Sequence, residues 1–128
     1  MSNFKINSRS NFLELLKTNP GVIVIKFGAS WCKPCLRIKP NVDQFFSQLT
    51  ADQPALCYDL DIDECSDVFA FLKAKKMVTT IPAFLCYFKG NESYIPNESI
   101  SSSDLNDIHA FFDRIRAEDA FGEGDCDY

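Results

Sequence analysis

Ser30-Trp31-Cys32-Lys33-Pro34-Cys35 (SWCKPC) follows closely on Val22-Ile23-Val24-Ile25, and this junction decides how the chain is read. Four consecutive β-branched residues form the pattern of a central strand covered on both faces. Beyond the cysteines, Ile38, Val42, Phe45, Phe46 and Leu49 lie on one helical face, so a helix is expected from about Pro34 to Leu49, kinked at Pro40. A strand therefore runs into a helix whose first turn carries two thiols.

Working outward, the same alternation continues. A short strand is expected near Phe4–Ile6, then a helix opened by Ser8 or Ser10, carrying Phe12, Leu15 and Leu16 and stopped by Asn19-Pro20-Gly21. Ala55 to Ile62 reads as a strand, and a helix capped near Ser66 carries Val68, Phe71 and Leu72. Pro82 introduces a strand over Ala83–Phe88, and Lys89-Gly90-Asn91 makes a turn. Ser93-Tyr94-Ile95-Pro96 reads as an edge strand, because proline cannot donate to a ladder. A last helix from the Ser101–Ser103 cap carries Leu105, Ile108, Phe111, Phe112 and Ile115. The order is β-α-β-α-β-α-β-β-α, an α/β pattern whose strand-helix units imply a mostly parallel sheet. In such sheets sites form beyond the carboxyl ends of strands, where Cys32 falls.

Length and charge narrow the classes. A chain of 128 residues builds one core without staples. The net charge of −5 sits in the last residues: Glu118, Asp119, Glu123, Asp125 and Asp127 have no basic counterpart, leaving 13 acidic against 13 basic residues over 1–117. We therefore expect a domain over 1–117 and a disordered acidic tail over 118–128. No basic stripe points to a nucleic-acid partner. The opening MSNFKINSRSNF lacks the apolar stretch of a secretory signal, and no run is long enough to span a membrane, so a cytoplasmic chain with no membrane partner is expected. Thiols are kept reduced in that compartment, so six cysteines there do not imply three bridges.

A CxxC can hold zinc, close a structural bridge or exchange electrons. Structural zinc takes four ligands, and this chain offers one CxxC and a single histidine, His109, in the apolar stripe of the last helix; no metal is expected. Exchange needs a thiolate, and unpaired N–H groups at a helix start favour one at Cys32. Cys35, one turn on and more covered, is placed to resolve the mixed disulfide that Cys32 would form. Pro34 suits the first helical turn. No bound cofactor is required.

These residues resemble the thioredoxin family. Trp31-Cys32-Lys33-Pro34-Cys35 is similar to its WCGPC motif, and Val22–Phe27 to the strand before it. Lys39-Pro40 resembles the kink dipeptide of its active-site helix, Asp61-Ile62-Asp63 the end of its third strand, Ile81-Pro82 its cis-proline pair, and Phe88-Lys89-Gly90 the turn that comes next. The resemblance covers roughly residues 4–117. It implies a thioredoxin fold: three α/β/α layers with a central mixed five-stranded sheet and four flanking helices. It also implies a protein-disulfide reductase with Cys32 and Cys35 catalytic, recharged with NADPH electrons through a thioredoxin reductase. Trp31, Lys33, Pro34, Ile81 and Pro82 would bind disulfide-containing client proteins, with the backbone of residue 81 beside the sulfurs. A monomer is expected.

The chain departs from the family pattern in four places. Lys26 stands where an acidic residue is usual, six positions before the first cysteine, and Lys33 replaces glycine; both are candidates for tuning the thiol pKa values. The stretch between Asp63 and Pro82 is longer by about one helical turn and carries Lys73, Lys75 and Lys76. The glycine usual before the last helix is absent from Asn97-Glu98-Ser99-Ile100. Two other functions compete: a more oxidising oxidase or isomerase, favoured by Lys33, and a partner-binding module with little turnover, against which the intact CxxC argues. Among the remaining thiols, Cys57 and Cys86 read as core residues, Cys65 as one that an exposed position would open to regulation, and Cys126 as a tail thiol blunted by acidic neighbours.

Overall fold

The structure, a computed structural model, describes residues 6–125. Eight elements follow in order: α1 (Arg9–Lys17), β1 (Val22–Gly28), α2 (Lys33–Asp52), β2 (Ala55–Asp61), α3 (Ser66–Ala74), β3 (Ala83–Phe88), β4 (Glu98–Ser101) and α4 (Leu105–Asp125). The sheet order is β2-β1-β3-β4, with β1–β2 parallel and both β1–β3 and β3–β4 antiparallel. It is therefore mixed, as the family resemblance implies, and not mostly parallel. After α3 the chain re-enters at the carboxyl end of β1, where Phe27 faces Ala83. That reversal carries Ile81-Pro82 to the same end of the sheet as Cys32.

Among the described residues the sheet has four strands rather than five. The predicted strand near Phe4–Ile6 falls mostly outside them, and Ile6 is buried but in no element. The edge strand predicted at 93–96 is displaced to Glu98–Ser101. Side chains explain the shift: Asn91 Nδ2 donates to Ile95 O and to Asn97 Oδ1, Asn91 Oδ1 accepts from Ser93 N–H, and Asn97 Oδ1 accepts from Phe88 N–H. These local bonds hold the segment in a turn, and pairing resumes after Pro96.

Alternation along β1 divides the core. Ile23, Ile25 and Phe27 pack with Phe12, Leu15, Leu16, Val68 and Leu72 under α1 and α3. Val22 and Val24 face Ile38, Val42 and Leu49 of α2 and Ile108, Phe111, Phe112 and Ile115 of α4. Lys26 and Gly28 continue this second row toward the cysteines, so a lysine lies where the pattern of β1 calls for an apolar residue.

Ser8 opens α1, its Oγ accepting from Asn11 N–H at 3.1 Å. Pro40 lies inside the continuous α2. α4 runs eight residues past Ala117, so the expected boundary at 117 falls within a helix. Cys126 lies outside the described residues.

Candidate functional site

Cys32 is the N-cap of α2, with extended backbone (φ −92°, ψ 103°), and its Sγ accepts from Cys35 N–H at 3.3 Å. The two cysteines are joined by a disulfide, with Cα atoms 5.3 Å apart. Both are buried, Cys35 the more completely. A sulfur at an N-cap takes the place of the usual capping oxygen, and its N–H partner favours the thiolate once the bond is reduced.

The surroundings differ on the two sides of the pair. Ala29, Ile62 and Ile81 pack against the sulfurs, and the Ile81–Pro82 peptide bond is cis. Trp31 is 63% exposed, yet its Nε1 donates to Asp63 Oδ2 at 2.9 Å. The turn after β2 is itself fixed by Asp61, whose carboxylate accepts from Ser30 N–H and Asp63 N–H. Lys33 and Pro34 are exposed and Pro82 is buried. The structure thus gathers Trp31, Lys33, Pro34, Ile81 and Pro82 around Cys32 and Cys35 at one end of the sheet.

Behind the pair, Gly28 permits a close approach. A Cβ at that position would lie 3.3 Å from Cys35 Cβ and Sγ and 3.4 Å from Lys26 Nζ, so the ammonium and the sulfur are less than about 7 Å apart. The Lys26 side chain is only 4% exposed and pairs with Asp59 Oδ1 at 3.1 Å, its register partner on β2. Asp59 Oδ2 meets Lys39 Nζ at 3.2 Å, and Lys39 also contacts Asp43. Asp59, with Asp43 helping, raises the pKa of Lys39. A buried charge of this kind persists only when paired, and Asp59 supplies the partner. The departure from the family pattern singled out Lys26; nothing in the sequence singled out Asp59, although the strand register places it opposite.

The other described cysteines stand outside this disulfide. Cys65 is buried rather than exposed, its Sγ donating to Asp61 O at 3.3 Å. Burial, aided by Asp61 and Glu64, pushes its pKa up to about 11. Cys57 is half-buried and pushed by burial to about 12; Cys86 is fully buried. His109 is not in the apolar stripe of α4: it is exposed and pairs with Asp113 at 3.3 Å. Among the described residues no helix is long and apolar enough to cross a membrane.

Comparison with known proteins bears on this geometry. The thioredoxin family model matches residues 3–114. Thioredoxin-2 of Saccharomyces cerevisiae is 33% identical over 88 residues, covering 69% of this chain and 78% of that protein. Thioredoxin of Equus caballus is 34% identical over 90 residues, with 69% and 78% covered. A solved structure of Plasmodium falciparum thioredoxin superposes with a TM-score of 0.67 at 22% identity, over 85% of this chain and 95% of that one, a likeness of fold.

Proposed function

The chain belongs to the thioredoxin family and is a protein disulfide oxidoreductase, and from that premise we propose that it reduces the disulfides of client proteins through Cys32 and Cys35. The observation that carries this reading is the pair itself: a disulfide closed across the first turn of α2, with the Cys32 sulfur at the N-cap. In the reduced protein the Cys32 thiolate attacks a client disulfide, and one client thiolate leaves. Cys35 then attacks Cys32 Sγ, closing the Cys32–Cys35 bond and releasing the second client thiol. Two electrons pass from the pair to the client.

Trp31, exposed next to Cys32, and Ile81, packed against the cysteines, offer apolar surface for a client, with Lys33 and Pro34 exposed beside them and Pro82 buried behind the cis bond. An extended client segment fits beside such a strip by backbone pairing. Lys33, exposed beside Cys32, and Lys26, buried behind Cys35, each place positive charge where it favours thiolate over thiol.

Family members work without a bound cofactor and are re-reduced by a thioredoxin reductase; for this chain the electrons then derive from NADPH, in the cytoplasm, with the protein acting as a monomer. The residues over 1–117 carry the activity, and residues 118–128 are dispensable for it.

The test is capture. Cys35→Ser should accumulate a client joined through Cys32, a band that collapses on reduction, while Cys32→Ser should capture nothing. A binding module would retain its partners non-covalently in both variants.

A further inference from the structure

The role of Cys35 as resolving thiol, proposed above and assumed throughout this inference, leaves a proton unaccounted for. Cys35 is 2% exposed, and a thiol must lose its proton before it attacks. The groups facing it across a cleft of about 200 Å³ are Lys26 from β1, Lys39 from α2, Asp59 and Asp61 from β2, and Glu64. Water occupies about 30 Å³ per molecule, so the cleft has room for several between sulfur and carboxylate.

These groups are not equivalent. An ammonium carries donors only, so Lys26 and Lys39 accept nothing while charged. Asp61 is committed to the N–H groups of Ser30 and Asp63, and Glu64 is exposed. Asp59 alone spans inside and outside: the buried Lys26, within about 7 Å of Cys35 Sγ, reaches both its oxygens, Oδ1 at 3.1 Å and Oδ2 at 3.4 Å, and Lys39, which is 52% exposed, reaches Oδ2 at 3.2 Å.

We propose that Asp59 takes the Cys35 proton through the cleft and hands it to solvent on the Lys39 side. In the resolving step the S–H bond of Cys35 breaks and its proton passes by water to the Asp59 carboxylate. The sulfur bonds to Cys32, the Cys32–client bond breaks, and the client leaves as a thiolate that draws its proton from solvent. Lys26 holds the carboxylate in register, as a positioning residue. A structural ion pair would do the same for the fold and nothing for the proton, so the test must read proton transfer.

A chromogenic disulfide, dithionitrobenzoate, supplies it. Mixed by stopped flow with the reduced protein in a Cys126→Ser background, it releases one thionitrobenzoate when Cys32 attacks and a second when Cys35 resolves. Asp59→Asn should slow the second release roughly tenfold or more near neutral pH and move its pH midpoint upward, leaving the first release within about twofold. Asp59→Glu, which keeps the carboxylate, should recover most of the rate. An Asp59→Asn profile that overlays the parent's at every pH overturns the proposal. So does a loss that Asp59→Glu fails to recover while both variants remain folded by circular dichroism. Cys35→Ser is the control: it should abolish the second release, and a second release that survives overturns the resolving role itself.

Discussion

Trp31 Nε1 donates to Asp63 Oδ2 at 2.9 Å, so the most exposed aromatic ring beside Cys32 is held by the turn that leaves β2. An exposed indole without that bond would sample several rotamers and offer no fixed surface to a client. Asp63→Ala should therefore lower kcat/KM for a protein disulfide by roughly three- to tenfold, the loss of about one hydrogen bond. Trp31 is the chain's only tryptophan, so its emission reports the release directly. Unchanged emission and unchanged kcat/KM would show that the bond does not organise the surface.

Gly28 leaves little room for a side chain. A methyl there meets Cys35 and Lys26 Nζ at 3.3–3.4 Å, tighter than ordinary contact. Gly28→Ala should destabilise the oxidised protein by about 1–3 kcal/mol, as overpacking does. Urea midpoints in the oxidised and reduced states check this.

Cys57 and Cys65 predict an alkaline limit to stability. Their folded values, about 12 and about 11, lie above the ordinary thiol value of 9.0. Between the ordinary and the raised values the folded chain holds more protons than the unfolded one, so their contribution is intact below about pH 9 and shrinks as pH rises toward 11 and 12. Each thiol costs at most about 1.4 kcal/mol per pH unit. Thermal melts from neutral to alkaline pH should fall accordingly, and a Cys57→Ala, Cys65→Ala chain should fall less.

Lys76 ends α3 in the left-handed region at φ 65°, with Lys76 N–H bonded to Lys73 O and Met77 N–H to Leu72 O. That arrangement usually carries glycine. Lys76→Gly should stabilise by up to about 1 kcal/mol, part of the relief being offset by the freer unfolded chain. A lower melting temperature would contradict it.

The site was legible where chemistry and periodicity coincide. SWCKPC after a β-branched run places both cysteines, and the 3.6-residue spacing of Ile38, Val42 and Leu49 gives the face of α2. The direction of β3 was not legible from the order of elements, because alternation is equally compatible with parallel and antiparallel return; only the resemblance gave a mixed sheet. The edge strand was misplaced since Asn91 and Asn97 hold 93–96 in a turn through bonds no period reveals. Asp59 was not legible for a related reason. Its significance comes from register with Lys26, a long-range pairing.

The direction of electron flow is tested most directly by the reduction potential of the Cys32–Cys35 couple, from equilibration in graded thiol buffers, alkylation of free thiols and mass spectrometry assigning each cysteine. A client reductant should lie between about −270 mV, typical of thioredoxin, and about −230 mV, the lysines raising it modestly. A value of about −200 mV or above would place the pair among oxidising or isomerising exchangers and contradict the reductive role proposed for it.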